Sequence, residues 1–330
     1  MEELSKLLAT LKDLEPEKVL NRMRERGIRI EAYPLSSYME IHSEYLEELD
    51  QKENFCGAFA AAYILRGLGF REHKGEKVDQ DYAALLARVN VSPDDLERLE
   101  KLKAEVRGLP EAEAEKLMRE NRGIWYRFTD LPTTRRPEEL GASALGVARA
   151  IEEISSGLLK PIPLKTCDKS SGALLTPERM EKLLGFIKRD ARRFKAQLIL
   201  NLNTMHLLDS EKIDRLSERL LLGEKIPRIL REPVGHFVSC GGLLEVKVEG
   251  DVSSLLIIRE TYSRYGAHLQ PAENVRRALC RGDGREGGIL VIVPSELEDE
   301  ARKALGELGL PMEFWDNGSP YIPPTSRRTS

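Results

Sequence analysis

The sequence reads QKENFCGAFAAAYILRGLG from Gln51 to Gly69, and this stretch decides most of what can be predicted about the fold. Its first residues are polar, the run from Ala58 to Leu65 favours a helix, and two nearby glycines end the pattern. We therefore predict a loop that leads into a buried helix starting at about Cys56. The small alanine side chains allow other elements to pack closely, which suits a central position.

The start of a helix is a favourable place for a reactive thiol. Unpaired backbone N–H groups and the helix dipole stabilise a thiolate there and lower the pKa of the cysteine. Gly57 is expected to leave room for a substrate to approach, and Gln51, five residues before Cys56, is expected to return its side-chain amide to the same position. This amide and the Cys56 backbone N–H would form an oxyanion hole, the pair of donors that stabilises the negative oxygen of acyl transfer.

A thiol nucleophile also needs a base and a group that orients the base. His236 lies near the start of a predicted strand, in the sequence Gly235-His236-Phe237-Val238, and is our candidate for the base. Glu260 ends another predicted strand, and antiparallel neighbours would bring its carboxylate alongside the imidazole. The sequence therefore predicts a Cys56–His236–Glu260 triad.

These three patches resemble the bacteriocin-processing (C39-like) cysteine peptidases, which are compact papain-like proteins. Gln51 to Ala58 is similar to their Gln-x-x-Asn-x-Cys-Gly-Pro-Ala, Gly235 to Val238 to their His-aromatic-Val, and Glu260 to Tyr262 to their Asp-Thr-Tyr. Position by position, the resemblance implies that Gln51 is the oxyanion donor, Cys56 the nucleophile, His236 the base and Glu260 the orienting acid. It also implies a papain-like fold and a hydrolase that needs no cofactor.

Four further stretches are similar to a bacterial domain family with C39-like features. This likeness covers most of the chain but implies no reaction. The stretches are Gly141 to Arg149, Leu200 to Thr204, His268 to Pro271 and Phe314 to Gly318.

The chain departs from the peptidase pattern in three ways. Glu260 stands in place of aspartate, Ala58 stands in place of proline, and 180 residues separate Cys56 from His236. Several functions therefore stay open. A cysteine peptidase or amidase is the first, a papain-like acyltransferase that forms an amide or ester is the second, and a non-catalytic binding protein on the same fold is the third. A purely structural or interaction protein is the last.

Helical patterns dominate the first half of the chain and strand patterns the second. Predicted strands cover Gln197 to Asn203, Val234 to Cys240, Leu243 to Val248, Ser253 to Glu260 and Gly288 to Val293. This order predicts an α+β fold in which a helical subdomain carrying Cys56 packs against an antiparallel sheet. We expect an N-terminal helical extension at 1–48, a papain-like core at 49–318 with a helical insertion or lid at 74–140, and a loose tail at 319–330.

Four residues are candidates for contact with a peptide or with a small amide or acyl substrate. They are Gly57, Asn203, His268 and Trp125. Asn203 ends a predicted strand, where its side chain can either contact a substrate or close a turn. Trp125 lies in the predicted lid.

The other three cysteines are expected to be structural. They are Cys167, Cys240 and Cys280, and none has the helix start and glycine that accompany Cys56. Cys240 lies four residues after His236 and would share its strand face if the strand is regular.

The composition narrows the possible partners. Hydrophobic residues make up 41% of the chain and charged residues 32%, with a net charge of −4, so no single-sign field argues for nucleic acid or an anionic membrane. No apolar run approaches the roughly 18 residues of a membrane span, and the acidic N-terminus lacks signal-peptide order, which favours a cytoplasmic location. No residue pattern predicts a metal, nucleotide or flavin. His42, His73 and Arg259 are expected to be exposed.

Overall fold

The computed structural model describes residues 2–48, 50–89, 101, 104–120 and 140–321 of the 330-residue chain. Trp125, most of the predicted tail and part of the predicted lid lie outside the described residues. The described part combines helices with a curled antiparallel sheet, which confirms the predicted α+β class.

The described residues also form α-helices. They are α1 (Glu2–Leu8), α2 (Pro16–Glu25), α3 (Tyr38–Glu48), α4 (Cys56–Gly67), α5 (Gln80–Leu86), α6 (Glu111–Glu120), α7 (Ala144–Ile154), α8 (Pro177–Arg189), α9 (Leu216–Leu221), α10 (Ala272–Leu279) and α11 (Glu298–Gly306). None of these helices combines the length and the apolar character that a span across a bilayer needs.

The strands pair antiparallel throughout the described residues. They are β1 (Arg29–Pro34), β2 (Glu72–His73), β3 (Glu76–Lys77), β4 (Leu159–Asp168), β5 (Gly172–Ala173), β6 (Gln197–Asn203), β7 (Gly235–Val248), β8 (Asp251–Arg259), β9 (Ala267–Pro271) and β10 (Gly287–Pro294). The main sheet has the order β5-β4-β10-β6-β7-β8-β9, with β1 also paired to β7, and β2 and β3 form a separate pair.

The long strand β7 organises the sheet. It pairs with β6 and then β1 along one edge and with β8 along the other. The register shifts between Cys240 and Gly242, where the backbone of Gly242 has a φ of 141° and a Cβ would lie 2.4 Å from the carbonyl oxygen of Tyr33. Such a bulge bends a strand and increases its twist. The prediction of two separate strands at Val234 to Cys240 and Leu243 to Val248 is therefore wrong, because one bulged strand runs through both ranges.

Helix α4 lies at the centre of the helical layer, as predicted. Every residue from Cys56 to Arg66 is buried. The helix packs against α3, α5, α7 and β7, and its alanine-rich surface permits these close contacts. The sequence therefore identified both the start and the burial of the helix that carries the thiol.

The N-terminal segment packs directly on the sheet. Leu7, Leu8 and Leu11 form a cluster with Leu244 of β7 and Leu255 of β8. Strand β1 adds its backbone hydrogen bonds to β7 in the register from Arg29 to Pro34. Residues 2–34 thus supply a strand and apolar cover to the core.

Three residues predicted to be exposed are buried: His42, His73 and Arg259. The guanidinium carbon of Arg259 lies 4.3 Å from the centroid of the Tyr38 ring, and Nη2 donates to the Tyr38 carbonyl at 3.1 Å. His42 stacks on the same ring, and His73 Nδ1 lies 2.8 Å from the hydroxyl of Tyr82. Aromatic rings of α3 and α5 cover these polar groups, and a ring face is a favourable neighbour for a cation.

Candidate active site

Cys56 is the first residue of α4, so its thiol lies at the N-terminus of the helix as predicted. The chain turns into the helix at Asn54, whose φ of 64° lies in the left-handed region that asparagine tolerates. Gly57 allows the start of the helix to approach its neighbours, because a Cβ there would lie 2.7 Å from Val147 Cγ2 and 3.1 Å from Ala142 Cβ. Protein atoms therefore fill the space that we had expected Gly57 to leave for a substrate.

The groups around the Cys56 thiol favour its ionised form. Burial is the largest influence and opposes ionisation, but the hydrogen bond and charge of His236 outweigh it, so the pKa of Cys56 is lowered from its ordinary value. The backbone N–H groups of Phe237 and Gly57 lower the pKa further. With 9% of the residue surface exposed, Cys56 is largely enclosed.

His236 lies at the start of β7, between the thiol and a carboxylate. Its Nε2 is 2.9 Å from Glu260 Oε2 and 3.1 Å from Thr261 Oγ1. The other ring nitrogen, Nδ1, is therefore the one that faces Cys56. Burial acts to lower the pKa of His236, but the charge of Glu260 and the contact with Cys56 outweigh it and raise the pKa to about 9. A pKa of about 9 keeps the imidazole protonated beside the thiol at neutral pH.

Glu260 directly follows β8 and is fully buried. Its Oε1 pairs with Arg231, while Oε2 accepts from the Thr261 backbone N–H at 3.2 Å as well as facing His236. Burial alone would raise the pKa of Glu260, but the charges of Arg231 and His236 lower it well below its usual range. The Arg231 guanidinium is itself held over the Tyr265 ring, 3.8 Å from the ring centroid. The carboxylate is thus a fixed anion that orients the imidazole.

Gln51 lies in the loop before α4, next to the turn that follows Glu260. Its backbone N–H donates to the Thr261 carbonyl at 2.8 Å, and its Nε2 donates to the Tyr262 hydroxyl at 2.9 Å. Its Oε1 is buried and has no hydrogen-bond partner in the described part of the chain. The Asp50 carboxylate links the same two loops, because it accepts hydrogen bonds from the backbone N–H and the hydroxyl of Ser263. The two loops that carry the nucleophile and the acid are therefore bonded to each other.

Asn203 is occupied by the turn that follows β6. Its Oδ1 accepts from the Met205 backbone N–H at 3.0 Å, and its side chain also bonds to Asp283. With 1% of its surface exposed, it closes the turn rather than offering a free amide to a substrate. The structure therefore favours the second of the two roles considered for this residue.

His268 lies on β9 and is buried close to Glu260. Its Nδ1 is 3.2 Å from the Gly266 carbonyl oxygen, whereas Nε2 has no partner among the described residues. Burial lowers the pKa of His268 to about 4, although the charge of Glu260 acts in the opposite direction. A neutral imidazole with 1% exposure thus lies beside the triad, without reaching the surface where a substrate would arrive.

The other cysteines have environments that keep the thiol protonated. Burial raises the pKa of Cys167, Cys240 and Cys280, and the pKa of Cys240 reaches about 11. Cys240 packs in the apolar core with Val238, and its Sγ donates to the Gly242 carbonyl. The direction of the pKa change separates Cys56 from the other three.

Three residues of the site were not identified from the sequence: Arg231, Thr261 and Tyr262. Thr261 and Tyr262 belong to the quoted Glu-Thr-Tyr motif, which could have directed attention to their side chains. Arg231 stands in a loop without a motif, and no sequence signal places it beside Glu260. No group of three histidine, cysteine, aspartate or glutamate residues in the described ranges is arranged to hold a metal ion.

Comparison with known proteins places the chain in a family without indicating a reaction. No curated protein matches it. A matching family model extends over the whole site, from the loop of Gln51 to the turn after Glu260 and beyond. Since that match spans most of the sequence, the chain belongs to the family described as "Family of unknown function (DUF6885)", which matches residues 35–316.

Proposed function

We propose that the protein is a thiol-dependent acyl-transfer enzyme with a papain-like core, most simply a cysteine peptidase or amidase. One observation carries the proposal: across a single contact, the pKa of Cys56 is lowered while the pKa of His236 is raised to about 9. Opposite shifts of this kind indicate a thiolate–imidazolium pair, which is the resting form that an enzyme of this class requires.

The arrangement of elements supports a papain-like core. The nucleophile begins a helix, and the base and acid lie at neighbouring ends of β7 and β8 in an antiparallel sheet. The order along the chain is Cys56, His236 and Glu260, as in the peptidases that the motifs resemble. The helix terminus and the sheet edge together bring the three side chains into contact.

The chemistry follows from this geometry. The Cys56 thiolate attacks the carbonyl carbon of an amide or ester, a carbon–sulfur bond forms, and one electron pair moves onto the carbonyl oxygen. When the tetrahedral intermediate collapses, the bond to the leaving group breaks and His236 donates its proton to that group. A water molecule deprotonated by His236 then releases the acid and restores the thiolate. An amine or alcohol in place of water would make the product an amide or ester.

One observation favours a second candidate, a non-catalytic binding protein on the same scaffold. Gln51 Nε2, which the resemblance assigns to the oxyanion, is bonded to the Tyr262 hydroxyl. An enzyme needs a donor that is free to meet the developing negative charge. Both candidates allow a reactive thiolate at Cys56. They differ in whether a substrate acylates this thiolate.

The pH dependence of Cys56 alkylation by iodoacetamide tests the thiolate–imidazolium pair. We expect labelling to stay fast at about pH 6, where an ordinary cysteine with a pKa of about 8.5 is almost wholly protonated. Peptide mapping by mass spectrometry assigns each label, so that Cys167, Cys240 and Cys280 serve as internal references. The matched control is His236→Ala, which removes the hydrogen bond and the charge that lower the pKa of Cys56.

Two results are decisive. Labelling of Cys56 at pH 6 that collapses in His236→Ala supports the pair and justifies a search for acyl substrates. Labelling of Cys56 that follows the same pH profile as the other three cysteines would overturn the catalytic proposal.

A further inference from the structure

The side-chain amide of Gln51 joins the nucleophile loop to the turn after Glu260 but leaves one of its own atoms unsatisfied. Nε2 donates to the Tyr262 hydroxyl at 2.9 Å, while Oε1 is buried without a hydrogen-bond partner in the described residues. Buried acceptors are normally satisfied, so an unpaired amide oxygen next to a candidate active site requires an explanation.

A carboxamide has a donor end and an acceptor end of nearly equal size, and a phenol hydroxyl both donates and accepts. Turning the amide by 180° about its last torsion keeps the contact between Gln51 and Tyr262. The Tyr262 hydroxyl then donates to Oε1, and Nε2 takes the buried position that lacks a partner. In that orientation the unpaired group is an N–H donor, which is the state expected of an empty oxyanion hole.

The surroundings bring this amide close to the thiol. The Gln51 backbone N–H is bonded to Thr261 at 2.8 Å, and Thr261 in turn contacts the imidazole of His236. Burial raises the pKa of Tyr262, and the charge of Cys56 adds to this rise although the bond from Gln51 opposes it. The charge of a Cys56 thiolate thus acts on the Tyr262 hydroxyl.

We propose that Tyr262 is a positioning residue whose hydroxyl holds the Gln51 amide with Nε2 directed at the reaction centre, where it stabilises the oxyanion of an acyl substrate. The inference rests on the proposed function and adds to it. One short turn, Glu260-Thr261-Tyr262, then carries both the acid that orients the base and the hydroxyl that orients the oxyanion donor.

Two small probes separate this role from general damage to the site. p-Nitrophenyl acetate acylates a thiolate through a tetrahedral oxyanion: a carbon–sulfur bond forms, the ester carbon–oxygen bond breaks and p-nitrophenolate leaves. Iodoacetamide alkylates the same thiolate by displacement of iodide, and no oxyanion develops. A loss of oxyanion stabilisation therefore slows the first reaction and leaves the second unchanged.

The variants are Tyr262→Phe, Gln51→Ala and the double variant, with Tyr33→Phe as the matched control. Tyr33 lies on β1 opposite Leu243, seven residues along β7 from His236, and its hydroxyl donates to Glu31. We expect Gln51→Ala to slow ester acylation by about 100-fold, the usual effect of removing one oxyanion donor. Tyr262→Phe should slow it by about tenfold. The double variant should be no slower than Gln51→Ala, because Tyr262 acts through Gln51.

The outcomes distinguish the inference from the proposed function. Equal slowing of both probes in Tyr262→Phe, or a further loss when Tyr262→Phe is added to Gln51→Ala, would overturn the inference and leave the triad in place. Unchanged acylation in Tyr262→Phe would overturn it as well. If the wild-type protein is alkylated rapidly at pH 6 yet never acylated by the ester, the acyl-transfer function itself is overturned, and the inference with it.

Discussion

His236 Nε2 lies 2.9 Å from Glu260 Oε2, while the other oxygen of that carboxylate pairs with Arg231. The glutamate therefore divides its two oxygens between an imidazole and a fixed cation. An aspartate would be one methylene shorter and would reach less far from the end of β8. The departure from the peptidase pattern thus suits a carboxylate that serves two partners.

Glu260→Gln tests the charge of this residue. The amide keeps the size of the side chain but removes the negative charge, which is the largest influence that raises the pKa of His236. The pKa of His236 should fall from about 9 towards 6.5, so that the thiolate loses its cationic neighbour at neutral pH. We expect the rate of Cys56 alkylation at about pH 7.5 to fall by about tenfold, because one pH unit above a pKa of about 6.5 leaves only about a tenth of the imidazole protonated.

Two further variants control this experiment. Glu260→Asp keeps the charge and shortens the reach, so we expect a loss smaller than that of Glu260→Gln. Glu245→Gln removes a buried carboxylate of β7 that pairs with Lys188 and should leave the pH profile of Cys56 unchanged. A Glu260→Gln profile identical to that of the wild type would show that another group orients His236.

The buried ion cluster that joins α3 to α4 yields a prediction about stability. Arg66 donates to Glu44 Oε2 at 2.6 Å and to the Glu44 carbonyl at 2.9 Å, and it also pairs with Glu48. Removing one partner leaves buried charges uncompensated, so Arg66→Ala should lower the free energy of unfolding by about 3–5 kcal/mol. Arg71→Ala is the control, because Arg71 pairs with the same Glu44 from an exposed position and should cost less than about 1 kcal/mol. Equal losses in urea unfolding would contradict this assignment.

The sequence predicted the parts of the site that local patterns determine. The alanine run after Gly57 predicted the start of α4. The strand patterns at Val234 to Cys240, Leu243 to Val248 and Ser253 to Glu260 predicted the segments that form β7 and β8. The antiparallel pairing of these strands then placed Glu260 beside His236, and the contact at 2.9 Å confirms that expectation. These features depend on the periodicity of short segments, which a single sequence records.

The features that were missed depend on tertiary contacts. Strand β4 contains Pro161 and Pro163, which argue against a central strand, but the short neighbour β5 pairs with β4 only at Cys167 and Asp168. The prolines therefore lie where one side of β4 needs no ladder hydrogen bonds. Arg231 likewise could not be assigned to Glu260, because a loop distant from the strand end brings the two together.

The pH dependence of stability tests the coupling of Cys56 and His236. The raised pKa of His236 contributes stability that is present below about pH 6.5 and is lost as the pH rises through 9. The lowered pKa of Cys56 contributes stability that is present above pH 9 and is lost as the pH falls through its folded value. In the pH range where both groups are charged, the folded state holds one more proton on His236 and one fewer on Cys56 than the unfolded state does. The two contributions to the pH dependence of the free energy of unfolding therefore cancel.

Cys56→Ala removes the contribution of the thiol to the pH dependence of stability and leaves that of His236. The free energy of unfolding of the variant, relative to the wild type, should fall as the pH rises from 6.5 to 9. In the variant, Glu260 still raises the pKa of His236 above its ordinary value of 6.5, whereas the contribution of Cys56 is gone. The free energy of unfolding should therefore fall by about 1.4 kcal/mol for each pKa unit of the rise that remains. Urea unfolding of both proteins at several pH values measures it, and groups common to both cancel in the difference. Parallel pH profiles would mean that the imidazole is neutral in the folded protein.

Gly57→Ala tests whether close packing positions the thiol. The added Cβ would lie 2.7 Å from Val147 Cγ2, a contact that requires α4 or α7 to move, and overpacking of this kind costs about 1–3 kcal/mol. We expect that loss in urea unfolding, together with slower alkylation of Cys56 at pH 6, because the helix start moves away from His236. In a Val147→Ala background the same substitution should cost less, since the obstructing methyl group is gone. Gly306→Ala is the control: it ends α11 with its nearest neighbour 3.9 Å from the added Cβ, so a loss there as large as at Gly57 would exclude packing as the cause.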